Sequence, residues 1–199
     1  FCPHDPEWSC AYLSKAGYLA DKLSIHFYQT TEMDKNYQKV TDEMRSRVLE
    51  DFFIPELDCA KKLAEEIAMS QKAANATWRD ISDISFEEGD RYLLANLIYC
   101  EAGGEPYDGQ LAVASVVINR VRSSVYPNTV VGVIYQNKQF SPVASGRLEL
   151  ALATNKATSR CYQAADEAMS GVTNVGNCVY FRTPVEGLTG INIGGHVFY

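Results

Sequence analysis

Histidine is scarce in this chain. His4, His26 and His196 are the three present in 199 residues, and no two of the six cysteines lie two to four positions apart. Recurrent zinc-ligand spacing is therefore missing, and neither a metal nor any other cofactor is expected. Cys2, His4 and Cys10 come nearest to a ligand cluster, but a disulfide or free thiols is the better reading of them. Runs of lysine or arginine are also lacking. With 25 acidic against 18 basic residues the formal charge is −7, which argues against a nucleic-acid partner. No apolar stretch approaches the roughly 20 residues that a bilayer-spanning helix needs, so no membrane span is expected. Phe1 opens the sequence with no initiator Met, charged n-region or h-region, and a targeting segment is expected to lie outside it. Internal repeats and low-complexity segments are absent.

What is present suits an ordinary globular chain. Hydrophobic residues make up 46% of it, enough to fill one large core or two small ones. The even set Cys2, Cys10, Cys59, Cys100, Cys161 and Cys178 suits an exported protein. Cys161–Cys178 is the pairing expected within the C-terminal half.

The pattern divides the chain in two. Residues 1–85 read as an N-terminal helical region that packs as a bundle. Trp8, Tyr12, Leu19, Leu23 and Phe27 mark a first helix after Asp5-Pro6, and Met33, Tyr37, Val40, Met44 and Val48 a second; Pro55 then separates off a third bearing Leu57, Ala60, Leu63, Ala64, Ile67 and Ala68. The polar stretch from Asn75 to Ser85 is the expected boundary. From residue 86 to 199 the composition turns to glycine clusters and short β-prone runs. A helix ending near Glu101 comes first, and Pro106 opens the next, with Asp108 in its first turn and Leu111, Ala114, Ile118 and Val121 on its buried face. A short helical segment running into a loop at Ser141-Pro142 and a helix over 162–169 follow. "NCVYFRTP" and "GGHVFY", separated by a Gly-rich turn, predict a small terminal sheet. The fold class expected is α+β, mostly α.

One acid stands out. Leu94, Leu97, Ile98 and Glu101 fall at i, i+3, i+4 and i+7, which puts a carboxylate on a face that should be buried. Gly103 and Gly104 stop the helix, so Glu101 occupies its last turn, beside the negative end of the dipole. Burial and dipole both oppose ionisation, as a general acid requires. A buried structural glutamate paired with an arginine or capped by backbone amides produces the same pattern, and the pattern alone leaves both open.

The stretch "EAGGEPYDGQLAVASVVINRV" resembles the SleB/CwlJ cell wall hydrolase family, the spore cortex-lytic enzymes and their relatives. "PNTVVGVIYQNKQFSPVASG", "YFRTP" and the terminal "GGHVFY" follow in the family's order, so the resemblance runs from about Leu93 to Tyr199. It implies a lysozyme-like catalytic domain over 86–199 that cleaves peptidoglycan between N-acetylmuramic acid and N-acetylglucosamine, in the manner of a lytic transglycosylase. It also places the family's catalytic acid at Glu101 and implies a secreted, wall-associated or spore-associated protein. Cys100 stands where the family usually has a small residue. The N-terminal helices have no counterpart in the peptidoglycan-binding repeats of many members; their partner, if a protein, is unidentified.

A lytic transglycosylase needs one carboxyl group, whereas a true hydrolase normally adds a second at about 5 to 9.5 Å. Glu105 and Asp108 are the second carboxylates nearest in sequence, although acids at a helix start usually serve only the dipole. Aromatics and amides suit a glycan groove, which makes Tyr107, Gln139, Phe140, Ser141 and Tyr180 binding candidates with Glu105; His196 can reach substrate or Glu101. Core packing is an equally good account of Phe140 and Tyr180, and a structural role the better account of His196. Two other classes compete: a cysteine peptidase with Cys100 as nucleophile and His196 as base, and a wall-binding protein without catalysis.

Overall fold

The computed structural model describes residues 54–185 and 187–199. The first two expected helices, Cys2 and Cys10 lie outside those residues, as does most of the expected N-terminal bundle. The helices are α1 (Ile54–Ala74), α2 (Glu88–Ala102), α3 (Tyr107–Arg122), α4 (Val130–Ile134), α5 (Ser141–Ala144), α6 (Arg147–Thr154) and α7 (Ser159–Met169), with a 3-10 turn at Ile81–Asp83. Three short strands close the chain: β1 (Phe181–Arg182), β2 (Ile191–Ile193) and β3 (His196–Phe198). The mostly helical α+β class with a small terminal sheet is thus as expected. Ile67–Pro184 with Thr189–Tyr199 form one compact unit, while the start of α1 and Val185–Leu188 belong to another.

α3 is the centre of the larger unit. Every residue from Gly109 to Val121 is buried, so the helix has no solvent face between its first and last turns. Leu111, Ala114, Ile118 and Val121 form the expected stripe, packed with Leu94, Leu97 and Ile98 of α2 and with Ala164, Ala165 and Ala168 of α7. The opposite face, Ala112, Val113 and Val116, packs on Val175 and Phe198 and supports the sheet. Full burial of each Leu, Ile or Val is worth about 1.5–3 kcal/mol, so two apolar faces on one helix bind both layers to it.

The sheet order is β1-β3-β2, all antiparallel, with Phe181 opposite Phe198 and Ile193 opposite His196. Its edge strand β2 arises from "INI", within the segment read from sequence as a Gly-rich turn. Two further local features differ from expectation. Pro142 opens α5 instead of sitting in a loop, because a proline in the first helical turn gives up only an amide that has no intrahelical partner. Cys161 and Cys178 are both free thiols, which corrects the expected disulfide. Cys161 faces the α2–α3–α7 core, where its thiol meets the Thr158 hydroxyl at 3.2 Å and Gln110 Oε1 at 3.6 Å, whereas Cys178 packs on the cluster beneath the sheet.

Candidate active site

α2 begins with a reciprocal capping box between Glu87 and Asp90 and ends at Ala102. Leu94, Leu97 and Ile98 have no solvent exposure, so the face that carries Glu101 is the core face along most of its length. Gly103 ends the helix at a close approach: a Cβ there would lie 2.5 Å from the Tyr99 carbonyl oxygen. Glu101 itself is half-buried in the last turn. Burial pushes its carboxyl up from the ordinary 4.5, opposed by the Arg147 guanidinium. Among the described residues its carboxylate accepts no hydrogen bond and has no cation within 4.0 Å. A structural role would call for a paired or amide-capped carboxylate, and among the described residues neither arrangement occurs.

Arg147, the first residue of α6, reaches the end of α2 from outside. Its Nη2 donates to the Cys100 carbonyl at 2.8 Å, and the Cys100 thiol donates to the Arg147 carbonyl at 3.7 Å. Burial pushes the Cys100 thiol up. That is the opposite of the electropositive, thiolate-stabilising setting that a nucleophilic cysteine needs.

Glu105 and His196 are brought together. The Gly195 N–H donates to Glu105 Oε2 at 3.0 Å, and His196 Nδ1 lies 3.9 Å from Glu105 Oε1, beyond hydrogen-bond range. The two glycines of the β2–β3 turn make this possible. Gly194 is left-handed at φ +57, where an added Cβ would collide with Glu105 Oε2, and a Cβ on Gly195 would stand 2.9 Å from Oε1. His196 is held edge-on to Phe181, centroids 5.3 Å apart. Gly194→Ala should therefore cost about 2–3 kcal/mol, from the positive φ and from expulsion of the carboxylate. Gly146, also left-handed but with open space around it, provides the control: Gly146→Ala should cost about 1 kcal/mol in the same denaturant titration.

The other candidates separate. Tyr107, the first residue of α3, has its phenol pushed up to about 12 by burial and by the nearby Glu167 carboxylate. Ser141 is exposed at the start of α5. Phe140 and Tyr180 lie in the core, 3% and 6% exposed. Gln139 is half-buried and accepts from Arg120 Nη1 at 2.9 Å. Asp108 is exposed, and only its carbonyl is engaged, by the Asn174 amide.

Arg120 is the residue that sequence reasoning missed. It is 2% exposed on α3, donates from Nε to the Val179 carbonyl at 2.7 Å, and lies 4.6 Å from the Tyr180 ring centroid and 5.3 Å from those of Tyr126 and Phe140. Its neighbour Asn119 donates to the carbonyls of Gly176 and Cys178. The available signal was Asn-Arg directly after the run Leu111–Ile118, which is apolar but for Ser115.

Residues 104–199 match the cell wall hydrolase family. The chain is 36% identical to the crystallised catalytic domain of Bacillus cereus SleB, covering 57% of this chain and 91% of that domain, with a TM-score of 0.49. Residues 104–199 belong to the cell wall hydrolase family. A second solved member, the catalytic domain of the germination-specific lytic transglycosylase SleB from Bacillus anthracis, is 35% identical over 96% of its length, also with a TM-score of 0.49. Curated relatives are spore cortex-lytic enzymes, among them those of Oceanobacillus iheyensis, 36% identical over 121 residues, and of Bacillus cereus, 41% identical over 99. These matches cover 57% and 50% of this chain but 42% and 36% of the relatives, so the chain spans about two fifths of their length. The family match begins three residues after Glu101 and includes Glu105, Arg120, Arg147 and His196.

Proposed function

We propose that residues 86–199 form a catalytic domain that cleaves peptidoglycan glycan strands between N-acetylmuramic acid and N-acetylglucosamine as a lytic transglycosylase, with residues 1–85 a separate helical region. The observation that carries this reading is the Glu101 carboxyl, raised by burial and unpartnered among the described residues. Protonated Glu101 gives its proton to the glycosidic oxygen as the C1–O bond breaks. The carboxylate then takes the proton of the muramyl C6 hydroxyl as that oxygen bonds to C1. One residue serves as acid and then base, no water is consumed, and the enzyme is returned protonated.

Glu105 supports the single-acid scheme, because its carboxylate is engaged by the Gly195 amide in the turn of the terminal hairpin. Ser141, Tyr107 and Gln139 are the groove residues of this reading, with Phe140 and Tyr180 backing them from the core and Glu105, bonded to the Gly195 amide, holding the hairpin that carries His196. The raised Cys100 thiol disfavours a peptidase, and an unpartnered acid is costly to retain in a protein that only binds. The names of the relatives favour action at the cell wall or in spores.

Product analysis tests the scheme. Digestion of purified peptidoglycan should give fragments ending in 1,6-anhydromuramic acid, lighter by one water than hydrolytic products on mass spectrometry. Reducing ends throughout would show hydrolysis and return Glu105 or Asp108 as the base that activates water. Stem-peptide fragments alone would favour the peptidase.

A further inference from the structure

We propose that Arg147 is a positioning residue for Glu101, one that holds the last turn of α2 and stabilises the carboxylate that forms when the acid gives up its proton. This rests on the reading of Glu101 as the acid. The geometry lies in the ending of α2, whose final carbonyls lack intrahelical partners. The Tyr99 carbonyl accepts from the Gly103 amide and that of Ala102 from the Glu105 amide, while the Cys100 carbonyl accepts from Arg147. A guanidinium thus sits at the negative pole of the helix, bonded to the residue preceding the acid, and the Cys100 thiol returns a bond to the Arg147 backbone. Gly146, left-handed at φ 72, turns the chain into α6 at this point.

Of the elements packed on α2, α6 brings Arg147 and Glu149, α7 brings Arg160, Cys161, Tyr162, Asp166 and Glu167, α3 brings Tyr107, Asp108, Arg120 and Arg122, the end of α4 brings Tyr135, and α5 brings no titratable group. Asp166 is taken by Arg91 at the other end of α2, Tyr107 faces Glu167, and Glu149 acts on Tyr135 and Cys100. Among the described residues Arg147 is the charged group that acts on Glu101, in the direction that favours its ionised form. Without it, burial alone sets the acid. Glu101 would keep its proton to higher pH, and the carboxylate left after proton transfer would be less stable.

The experiment measures kcat and kcat/KM against pH on a soluble glycan fragment for the wild-type chain, Arg147→Gln, Arg147→Lys and Glu101→Gln, with thermal melting of each. In Arg147→Gln the alkaline limb of kcat/KM should move to higher pH and kcat should fall about two- to fivefold, as expected for an exposed cation. Arg147→Lys should return the limb toward the wild-type position. Because Arg147 is exposed, raising the salt concentration should move the wild-type limb upward too and leave that of Arg147→Gln in place. An unmoved limb in Arg147→Gln, whatever its rate or melting point, would overturn the proposal. Should that variant fail to fold, a wild-type limb that ignores salt overturns it equally. Activity surviving in Glu101→Gln is a different failure, that of the acid assignment itself, and removes the ground beneath both.

Discussion

Glu101→Gln should abolish glycan cleavage and leave the fold intact. Glutamine keeps the shape of the side chain and loses the proton that the glycosidic oxygen must receive. General acid-base catalysis is worth about 10²- to 10⁴-fold, and a group used in both half-reactions belongs at the upper end of that range. The stability expectation carries a sign. Burial raises the folded-state pKa of Glu101 above 4.5, so the folded chain binds the proton more tightly than the unfolded one. Folding stability then falls as pH rises from the unfolded pKa through the raised folded value, and the full cost of burying the charge is felt above it. A neutral Gln does not pay that cost, and at neutral pH the variant should melt no lower than wild type. Clearing of cell-wall suspensions at near-wild-type rate would refute the assignment. A stability loss of about 3–5 kcal/mol with activity tracking the folded fraction would instead identify a structural ion pair.

The second large effect is on stability and lies at Arg120. Arg120→Leu removes the donor to the buried Val179 carbonyl and the partner of Gln139, and withdraws the guanidinium from beside Tyr126, Phe140 and Tyr180. A stranded buried acceptor costs about 1–3 kcal/mol, and lost packing in a full core adds to it, so a total of about 3 kcal/mol or more is expected. For a chain of this length that lowers the melting temperature by about 6–12 °C. Arg120→Lys should recover little, because an ammonium cannot reproduce a planar fork that donates and stacks at once. Melting within about 2 °C of wild type for Arg120→Leu would show that the segment before β1 is held by its apolar contacts alone.

The features of this protein that depend on local periodicity are legible in the residue order alone. The stripe Leu94, Leu97, Ile98 and Glu101 and the stop at Gly103 follow from 3.6-residue repetition and from a close approach to the Tyr99 carbonyl, both properties of neighbours in the chain. Asp108 in the first turn of its helix and β-prone residues at the C-terminus were legible for the same reason. Tertiary structure decided what distant segments do to one another. It made α3 central, so that Asn119 and Arg120 became buried partners of carbonyls more than 50 residues away. It set Cys161 and Cys178 in different clusters, and it drew "INI" into an edge strand because β3 offered a free ladder side. It also brings the Glu105 carboxylate against a glycine turn 90 residues later. The same holds for Arg147 at the end of α2: whether a carboxyl keeps its proton depends on desolvation and on charges brought in from elsewhere, and neither is encoded in the residues that flank it.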